Sequence, residues 1–297
     1  MNKENKDRII PVKPPFDNIT WHRAAVTFLC RKDGGVLKNH PFLIVQAIIK
    51  GVSSLTPSFS PDRADELPIF HFPGRKHTLA LSSRSRVPVH FLFFNRTREA
   101  VEAWLRNLGA YLAEPANRRT FELLETGEVE RRDFAALAGS FESLPAEGEL
   151  CLEFLAPLPV KPEPGRGRAY LSVQGLTRML ERRFSRLFGV DFLYEPGDDD
   201  FSLLPYYWNY TQIKHPSKSQ PGNTQYIKGL TGKLYIKGRW RNFLHYLILG
   251  GEVHAGSRFA DSQGYYRILP ESPPFFAPGF PDPQALVSVV RAVIEQY

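Results

Sequence analysis

Apolar residues recur along the first half of the chain with the two periods that separate strands from helices. Alternating apolar and polar positions predict strands, and apolar residues three or four positions apart predict helices. The predicted elements are, in order, a strand at 21–30, a helix from Pro41 to about Gly51, a hairpin at 67–72 and 77–81, a strand at 87–94, a helix from Thr97 to Leu112 and a strand at 121–129. This order is typical of a ferredoxin-like domain, in which two helices cover one face of a sheet.

The same periods return after a polar spacer at residues 133–147. A strand at 149–157 and a long helix at 171–190 begin the second half, and one face of that helix is basic. The arginines predicted to line this face are Arg178, Arg182, Arg183 and Arg186. The later predicted elements are strands at 206–214 and 224–237, a helix from Trp240 to Leu249 that ends at Gly250 and Gly251, two strand-like pieces around a loop at 257–262, and a final helix at 284–297.

The chain therefore predicts an α+β fold made of two tandem ferredoxin-like (RRM-like) domains with an extra C-terminal helix. We expect a loose lead-in at 1–20, a first domain at 21–146, a second domain at 147–269, and a Pro-rich connector with the final helix at 270–297.

Positive charge is concentrated in the second half. The segment from Lys214 to Arg267 has nine Lys and Arg residues, opposed only by Glu252 and Asp261, so it carries an excess equal to the whole chain's net charge of +7. The nine are Lys214, Lys218, Lys228, Lys233, Lys237, Arg239, Arg241, Arg258 and Arg267. Charge confined to one supersecondary unit favours a binding face for a polyanion.

Other sequence features narrow the class of protein. Cys30 and Cys151 are the only cysteines, and both lie in apolar strand-like runs, which favours buried free thiols in a reducing compartment. The chain shows no N-terminal apolar run and no apolar stretch long enough for a membrane span, so we expect a cytoplasmic protein without membrane contact. No Cys or His pair has the spacing of a metal site, and we expect neither a metal nor another cofactor.

Two glycine-containing triplets lie within the basic segment. His254-Ala255-Gly256 and Ser262-Gln263-Gly264 are separated by five residues, Ser257 to Asp261. Glycine permits positive φ and a close approach of backbone N–H groups to phosphate, so this loop can hold an RNA backbone; a tight hairpin with incidental glycines is the alternative.

This part of the chain, roughly residues 205–268, resembles the C-terminal end of the CRISPR precursor-RNA processing endoribonucleases of the repeat-associated mysterious protein (RAMP) superfamily. Those proteins end in two G-x-G pairs separated by five residues, and here His254 and Ser262 replace the first glycine of each pair. The resemblance implies tandem ferredoxin-like domains with repeat RNA between them. The RNA-binding residues that we expect are Lys214, Lys218, Lys228, Lys233, Arg239, Gly256, Arg258, Ser262 and Gly264.

The resemblance also implies cleavage of CRISPR repeat RNA without a metal. A ribose 2′-OH attacks the adjacent phosphate while an acid and a base move the protons and a cation stabilises the phosphorane. The family commonly has its catalytic His near the first helix, which matches His40, with Lys38 beside it; His71 is the next candidate. His90 and His245 lie in apolar contexts that favour structural roles.

Three hypotheses follow for the function. The first is an endoribonuclease that acts on CRISPR repeats, as a monomer or homodimer. The second is a non-catalytic RAMP-type subunit that holds guide RNA with other CRISPR effector subunits. The altered glycine triplets keep this hypothesis open. The third is a basic protein of another fold with a chance glycine match.

Overall fold

The computed structural model describes residues 16–31, 41–74, 82–118, 120–144, 148–160, 171–190, 196–197, 200–216, 224–256 and 263–270. Side chains at 205–207, 213–216 and 224–226 are outside this description. The first half contains β1 (Thr20–Cys30), α1 (Pro41–Ser54), β2 (Ile69–His71), β3 (Arg86–Phe94), α2 (Arg98–Ala113), β4 (Phe121–Asp133) and α3 (Phe134–Gly139). The second half contains β5 (Gly148–Leu158), α4 (Val173–Phe188), β6 (Phe201–Pro216), β7 (Thr224–Gly238), a 3₁₀ turn (Arg241–Phe243), α5 (Leu244–Val253) and β8 (Tyr266–Leu269).

Each half builds one four-stranded antiparallel sheet. The strand orders are β2-β3-β1-β4 and β6-β7-β5-β8, so in both sheets the first and third strands of the half lie at the centre. Together with the βαββαβ order of elements, this topology is ferredoxin-like in both halves. The predicted α+β fold with tandem ferredoxin-like units is confirmed, and the hypothesis of a different fold is wrong. The predicted helix at 284–297 and strand at 77–81 lie outside the described residues.

Local signals explain where the two long helices begin and end. The hydroxyl oxygen of Thr97 accepts a hydrogen bond from the N–H of Ala100 at the start of α2, and Ser172 accepts one from Gly175 at the start of α4. These contacts satisfy N–H groups that have no partner within the helix. Gly189 ends α4 at φ 65°, in the left-handed region that glycine occupies without strain.

The two faces of the first sheet pack against different parts of the molecule. Residues Ala24, Val26 and Phe28 of β1 face α1 and α2 in the core of the first half. Trp21 and its neighbours on the opposite face are buried with residues of the second half. Those neighbours are Ile69, Leu92 and Phe94. One end of this open face is therefore covered by the second half.

The β6–β7 pair extends beyond its own sheet. Its register runs from Phe201 opposite Gly238 to Pro216 opposite Thr224, whereas the pairing of β7 with β5 ends at Leu230 opposite Leu158. Ile227, on the extended part, is 3% exposed and belongs to the core of the first half. The two halves thus share apolar contacts at two places.

The predicted spacer at 133–147 contains α3. Its start is capped by Asp133, whose carboxylate accepts a hydrogen bond of 2.7 Å from the N–H of Ala136. Phe134 is buried and meets the ring of Phe16 edge-on, with 5.3 Å between centroids. One buried aromatic residue thus anchors a helix too short to show a clear apolar period.

Three predictions for the second half are wrong in detail. The helix predicted from Trp240 to Leu249 does not end at Gly250 and Gly251, because α5 continues to Val253. A side chain at Gly250 would overlap the hydroxyl of Tyr266, which donates to the carbonyl of Leu247 at 2.6 Å. The second correction concerns the two strand-like pieces predicted around the loop at 257–262. Residues 251–253 before the loop are helical, so of these two pieces the described residues contain the one after the loop, β8.

The third correction concerns Arg183. This residue is fully buried instead of lining the basic face of α4, whereas Arg178, Arg182 and Arg186 are exposed as predicted. The predicted burial of Cys30 and Cys151 as free thiols is confirmed. Among the described residues, no helix is both long and apolar enough to cross a membrane.

Candidate functional site

Two histidines lie side by side on the open face of the first sheet. His71 of β2 is paired in register with His90 of β3, which is paired with Ala25 of β1. Nε2 of His71 lies 3.3 Å from Nδ1 of His90. One nitrogen must donate and the other accept, so at least one of the two rings is neutral in this contact. Such a pair can bind and release a proton.

The second half brings two more rings against this pair. The ring of Tyr265 stacks on that of His71, with 4.2 Å between centroids and 10° between planes. The ring of His254 lies 5.0 Å from Tyr265 and 5.9 Å from His71, centroid to centroid. We call His71, His90, His254 and Tyr265 the inter-sheet cluster.

Backbone hydrogen bonds hold the second-half members of the cluster. The N–H of Ala255 donates to the carbonyl of Gly264, and the N–H of Gly264 donates to the carbonyl of Pro157, each at 3.0 Å. Gly256 and Gly264 have φ of 118° and 74°, where a side chain is strained. The glycine positions thus shape the segment on which His254 lies.

His254 itself has an unusual backbone conformation. It caps the end of α5 at φ 64° and ψ 143°, in a region that costs a residue other than glycine about 1–3 kcal/mol. This is the position at which the resembled family has glycine. The Nε of Arg183 donates a hydrogen bond of 3.0 Å to the carbonyl of His254.

Charged side chains surround the cluster. On the same sheet face, Arg23 and Arg132 contact the carboxylate of Glu130 at 2.7 and 3.7 Å. Burial lowers the pKa of His90, and the positive charge of Arg23 lowers it further. This histidine is therefore ready to accept a proton near neutral pH.

Two acidic groups from the second half have raised pKa values. Burial raises the pKa of Glu252, although Arg132 and Arg23 partly oppose this effect. Burial, together with the negative charge of Glu252, raises the pKa of Tyr265 to about 12. The phenol is therefore protonated near neutral pH and can act as a donor.

Exposure distinguishes an inner and an outer side of the cluster. His254 is 0% and His71 is 7% exposed, whereas His90 and Tyr265 are partly exposed. A ligand on the surface would thus meet His90 and Tyr265 first, with His71 behind them. Within the described residues, no group of three or more His, Cys, Asp or Glu is arranged to hold a metal ion.

The predicted site residues are distributed unevenly. His71 lies in the inter-sheet cluster, and Gly256 and Gly264 lie in the segment that supports it. Lys228 is exposed on the extended part of β7, Lys233 is partly buried further along that strand, and Arg239 is exposed and pairs with Asp200 at 3.7 Å. Lys38, His40, Lys218, Arg258 and Ser262 lie outside the described residues, as does the side chain of Lys214.

The partners of His71 are not apparent from the sequence. His90 is expected there to have a structural role, and its contact with His71 depends on strand register that alternation alone does not reveal. Tyr265 lies directly after Gly264, so its position beside the glycine triplet is the one available signal.

Comparison with solved structures finds the same architecture. Thermus thermophilus Cas6 has a TM-score of 0.55 and 10% identity, over 84% of this chain and 99% of that one. A RAMP protein binding different RNA substrates has a TM-score of 0.52 and 17% identity over 84% and 99%. Another Cas6, solved as a product complex, has a TM-score of 0.51 and 14% identity over 85% and 100%.

No protein-family model and no curated protein matches the sequence. The structural likeness extends over nearly the full length of these three chains, at identities that establish the fold alone. The chain thus resembles these Cas6 and RAMP structures in its fold.

Proposed function

We propose that this protein binds repeat sequences in precursor CRISPR RNA and cleaves them without a metal. The observation that supports this most strongly is the inter-sheet cluster, in a fold similar to that of Cas6. Two neighbouring histidines and a protonated tyrosine supply the groups that RNA cleavage by internal attack requires.

In the proposed reaction, the ribose 2′-oxygen attacks the adjacent phosphorus. Its proton passes to a base, the bond from phosphorus to the 5′-oxygen breaks, and an acid protonates that oxygen. The products are a 2′,3′-cyclic phosphate and a 5′-hydroxyl, and no further reactant is consumed. His90 fits the base because its lowered pKa keeps it neutral and its ring is partly exposed. Tyr265 fits the acid since its phenol keeps its proton.

His71 has a different position, behind His90. Its short contact with His90 would fix the tautomer and orientation of that ring, and its stack on Tyr265 would fix the distance between base and acid. His71 also remains a candidate for direct proton transfer. Arg23 and Arg132 lie on the same sheet face and would stabilise negative charge on the phosphorane.

The RNA path is proposed to follow the basic second half. Lys228 and Arg239 are exposed, and with Lys214, Lys218, Lys233 and Arg258 they would neutralise phosphates. Gly256, Ser262 and Gly264 would bring the loop close to the RNA backbone. The segment that contains Gly256 and Gly264 also supports His254. RNA bound at this segment would thereby be coupled to the inter-sheet cluster.

His40, with Lys38, is proposed as a second possible source of acid–base chemistry. His40 directly precedes α1, where the positive end of the helix dipole favours a nearby phosphate. Variants of His40 and of His90 separate the two sites.

The deciding experiment is cleavage of 5′-labelled repeat RNA under single-turnover conditions in EDTA. We expect one cut, with a 2′,3′-cyclic phosphate on the upstream product. A substrate with one 2′-deoxy nucleotide at the scissile position should bind equally and stay intact. Cleavage of that deoxy substrate, or cleavage only with added Mg²⁺, would contradict the proposed reaction.

The alternative is a RAMP-type subunit that binds guide RNA without cutting it. The burial of His71 and His254 favours this alternative, because buried rings can simply join the two sheets. High affinity for repeat RNA with no cutting in the same assay would support it. We also propose a cytoplasmic location, a monomer or homodimer, and other CRISPR effector subunits as partners.

A further inference from the structure

Arg183 is a fully buried arginine on a helix whose other arginines are exposed. Arg183 lies on α4, and its side chain is buried inside the second half. Burying a guanidinium is costly, so its hydrogen-bond partners are informative. One of them is the carbonyl oxygen of His254, 71 positions further along the chain and 3.0 Å from Nε.

That carbonyl belongs to the residue with the disfavoured backbone conformation. His254 has φ 64°, and a carbonyl turned inward at the end of a helix needs a donor when buried. Arg183 supplies the donor on one side, while the Ala255-to-Gly264 hydrogen bond holds the next peptide on the other. Together these contacts set the direction in which the His254 ring leaves the backbone.

The ring of His254 lies against His71 and Tyr265 and has no exposed surface. A change in its backbone would move its ring and thereby disturb the stack of Tyr265 on His71. Small displacements of reacting groups have large effects on rate. The contact with Arg183 therefore reaches, through His254, the candidate acid Tyr265 and also His71, which contacts the candidate base His90.

We infer that Arg183 is a positioning residue for RNA cleavage, which holds His254 in its glycine-like conformation and so orients His71 and Tyr265. This inference rests on the proposed function. Because Arg183 has no exposed surface on which RNA could bind, its loss should change the rate of the chemical step and leave RNA affinity unchanged.

The test compares Arg183→Met with Arg182→Met. Met keeps most of the length of the side chain without its donors, and Arg182 is the exposed neighbour on the same helix. We expect Arg183→Met to lower the single-turnover rate at saturating repeat RNA by about 10-fold to 100-fold. Its RNA affinity should match that of the wild type, and Arg182→Met should match the wild type in both measurements.

A second measurement reports position without relying on activity. Histidine side-chain NMR signals should shift for His71 and His254 in Arg183→Met, and in Arg183→Lys if the Met variant does not fold. In a His254→Gly background, Arg183→Met should cause no further loss of rate, because glycine adopts this conformation without strain and has no ring to displace.

Unchanged signals of His71 and His254 would overturn the inference. So would an equal fall in rate from Arg183→Met in both backgrounds, since Arg183 would then act independently of His254. If the wild-type protein binds repeat RNA without cutting it, the proposed reaction fails, while the NMR signals still decide whether Arg183 positions the histidines.

Discussion

The ring of His71 stacks on the ring of Tyr265, with 4.2 Å between centroids, and this contact joins the first sheet to the second. His71 lies on β2 and Tyr265 directly before β8, so the sequence separates them widely. The candidate acid–base groups therefore depend on how the two halves pack. The apolar contacts of Trp21, Ile69, Leu92 and Phe94 with the second-half core fix that packing beside the cluster.

The first prediction concerns His90 as the base. His90→Gln keeps a hydrogen-bonding side chain but cannot accept the 2′-OH proton, so the single-turnover rate should fall by about 100-fold or more. Because burial and Arg23 lower its pKa below 6.5, the wild-type rate should level off at a pH below that value. The variant should lose this dependence.

His245→Gln is the matched control. His245 lies on α5 with its ring 5.7 Å from that of Phe134, so its replacement should leave rate and pH profile unchanged. A His90→Gln variant that retains the wild-type pH profile would exclude His90 as the base.

The second prediction is a loss of stability in acid through the same residue. The pKa of His90 is lower in the folded than in the unfolded chain, so the unfolded chain takes up the proton first as the pH falls. The free energy of unfolding should therefore decrease as the pH falls through 6.5 towards the folded pKa. Arg23, Arg132, Glu130 and His71 are the charged or titratable groups around this ring.

Urea unfolding at pH 7.5 and at pH 5.5 measures this effect. His90→Gln should lose less stability than the wild type between the two pH values. Glu252 acts in the opposite direction, because its raised pKa favours the folded chain as the pH falls. Its contribution is present in both proteins and cancels in the comparison, so equal losses in both would contradict the prediction.

Much of the fold could be predicted from the sequence, because long strands and amphipathic helices carry their periods locally. Helix α2 is predicted from its apolar face to start at Thr97, and in the structure Thr97 caps a helix that begins at Arg98. Arg183 is wrongly assigned to an exposed face because its burial depends on a distant carbonyl, that of His254. Gly250 is wrongly predicted to end a helix. Its glycine is required because any side chain there would overlap the hydroxyl of Tyr266.

The candidate site was less predictable for the same reason. His71 is a candidate from the sequence, but His90 and Tyr265 join it through register and through contact between sheets. Neither type of contact leaves a local pattern in the sequence. The two glycine-containing triplets, by contrast, can be recognised in the sequence, because positive φ restricts which residue can occupy a position.

The third prediction concerns RNA affinity. Replacing Lys228, Lys233 and Arg258 together by Ala should weaken binding and flatten its dependence on salt, with the slope falling by about 0.7–0.9 for each phosphate that is no longer neutralised. Fluorescence anisotropy over a range of KCl concentrations measures the slope. The control is a triple replacement of exposed arginines in the first half, Arg63, Arg98 and Arg106. An unchanged slope would place the RNA elsewhere.

The fourth prediction separates two glycines. A side chain at Gly264 would overlap the carbonyl oxygen of Ala255, so Gly264→Val should cost about 2–5 kcal/mol of stability. At Gly256, with φ 118°, a side chain is strained too, but among the described residues it would meet the ring of Pro159 at 3.2 Å and overlap no backbone atom, so Gly256→Val should cost less stability than Gly264→Val. Gly256→Val should therefore weaken RNA binding more than it lowers the melting temperature. A similar loss of melting temperature in both variants, without a separate binding defect, would favour a purely structural loop.

The last prediction decides between His40 and the inter-sheet cluster. His40 directly precedes Pro41, the first residue of the 14-residue helix α1. The positive end of the helix dipole disfavours an imidazolium there, which would keep His40 neutral and suited to act as a general base towards a phosphate bound at the same end. If so, His40→Ala should lower the single-turnover cleavage rate by about 100-fold or more and change repeat-RNA affinity little, because one neutral side chain is removed. If His40→Ala cuts at the wild-type rate while His90→Gln does not, the base lies in the inter-sheet cluster and His40 only precedes the helix. Loss of cutting in both variants with RNA affinity intact would give each histidine one of the two proton transfers, and Tyr265→Phe would then retain activity.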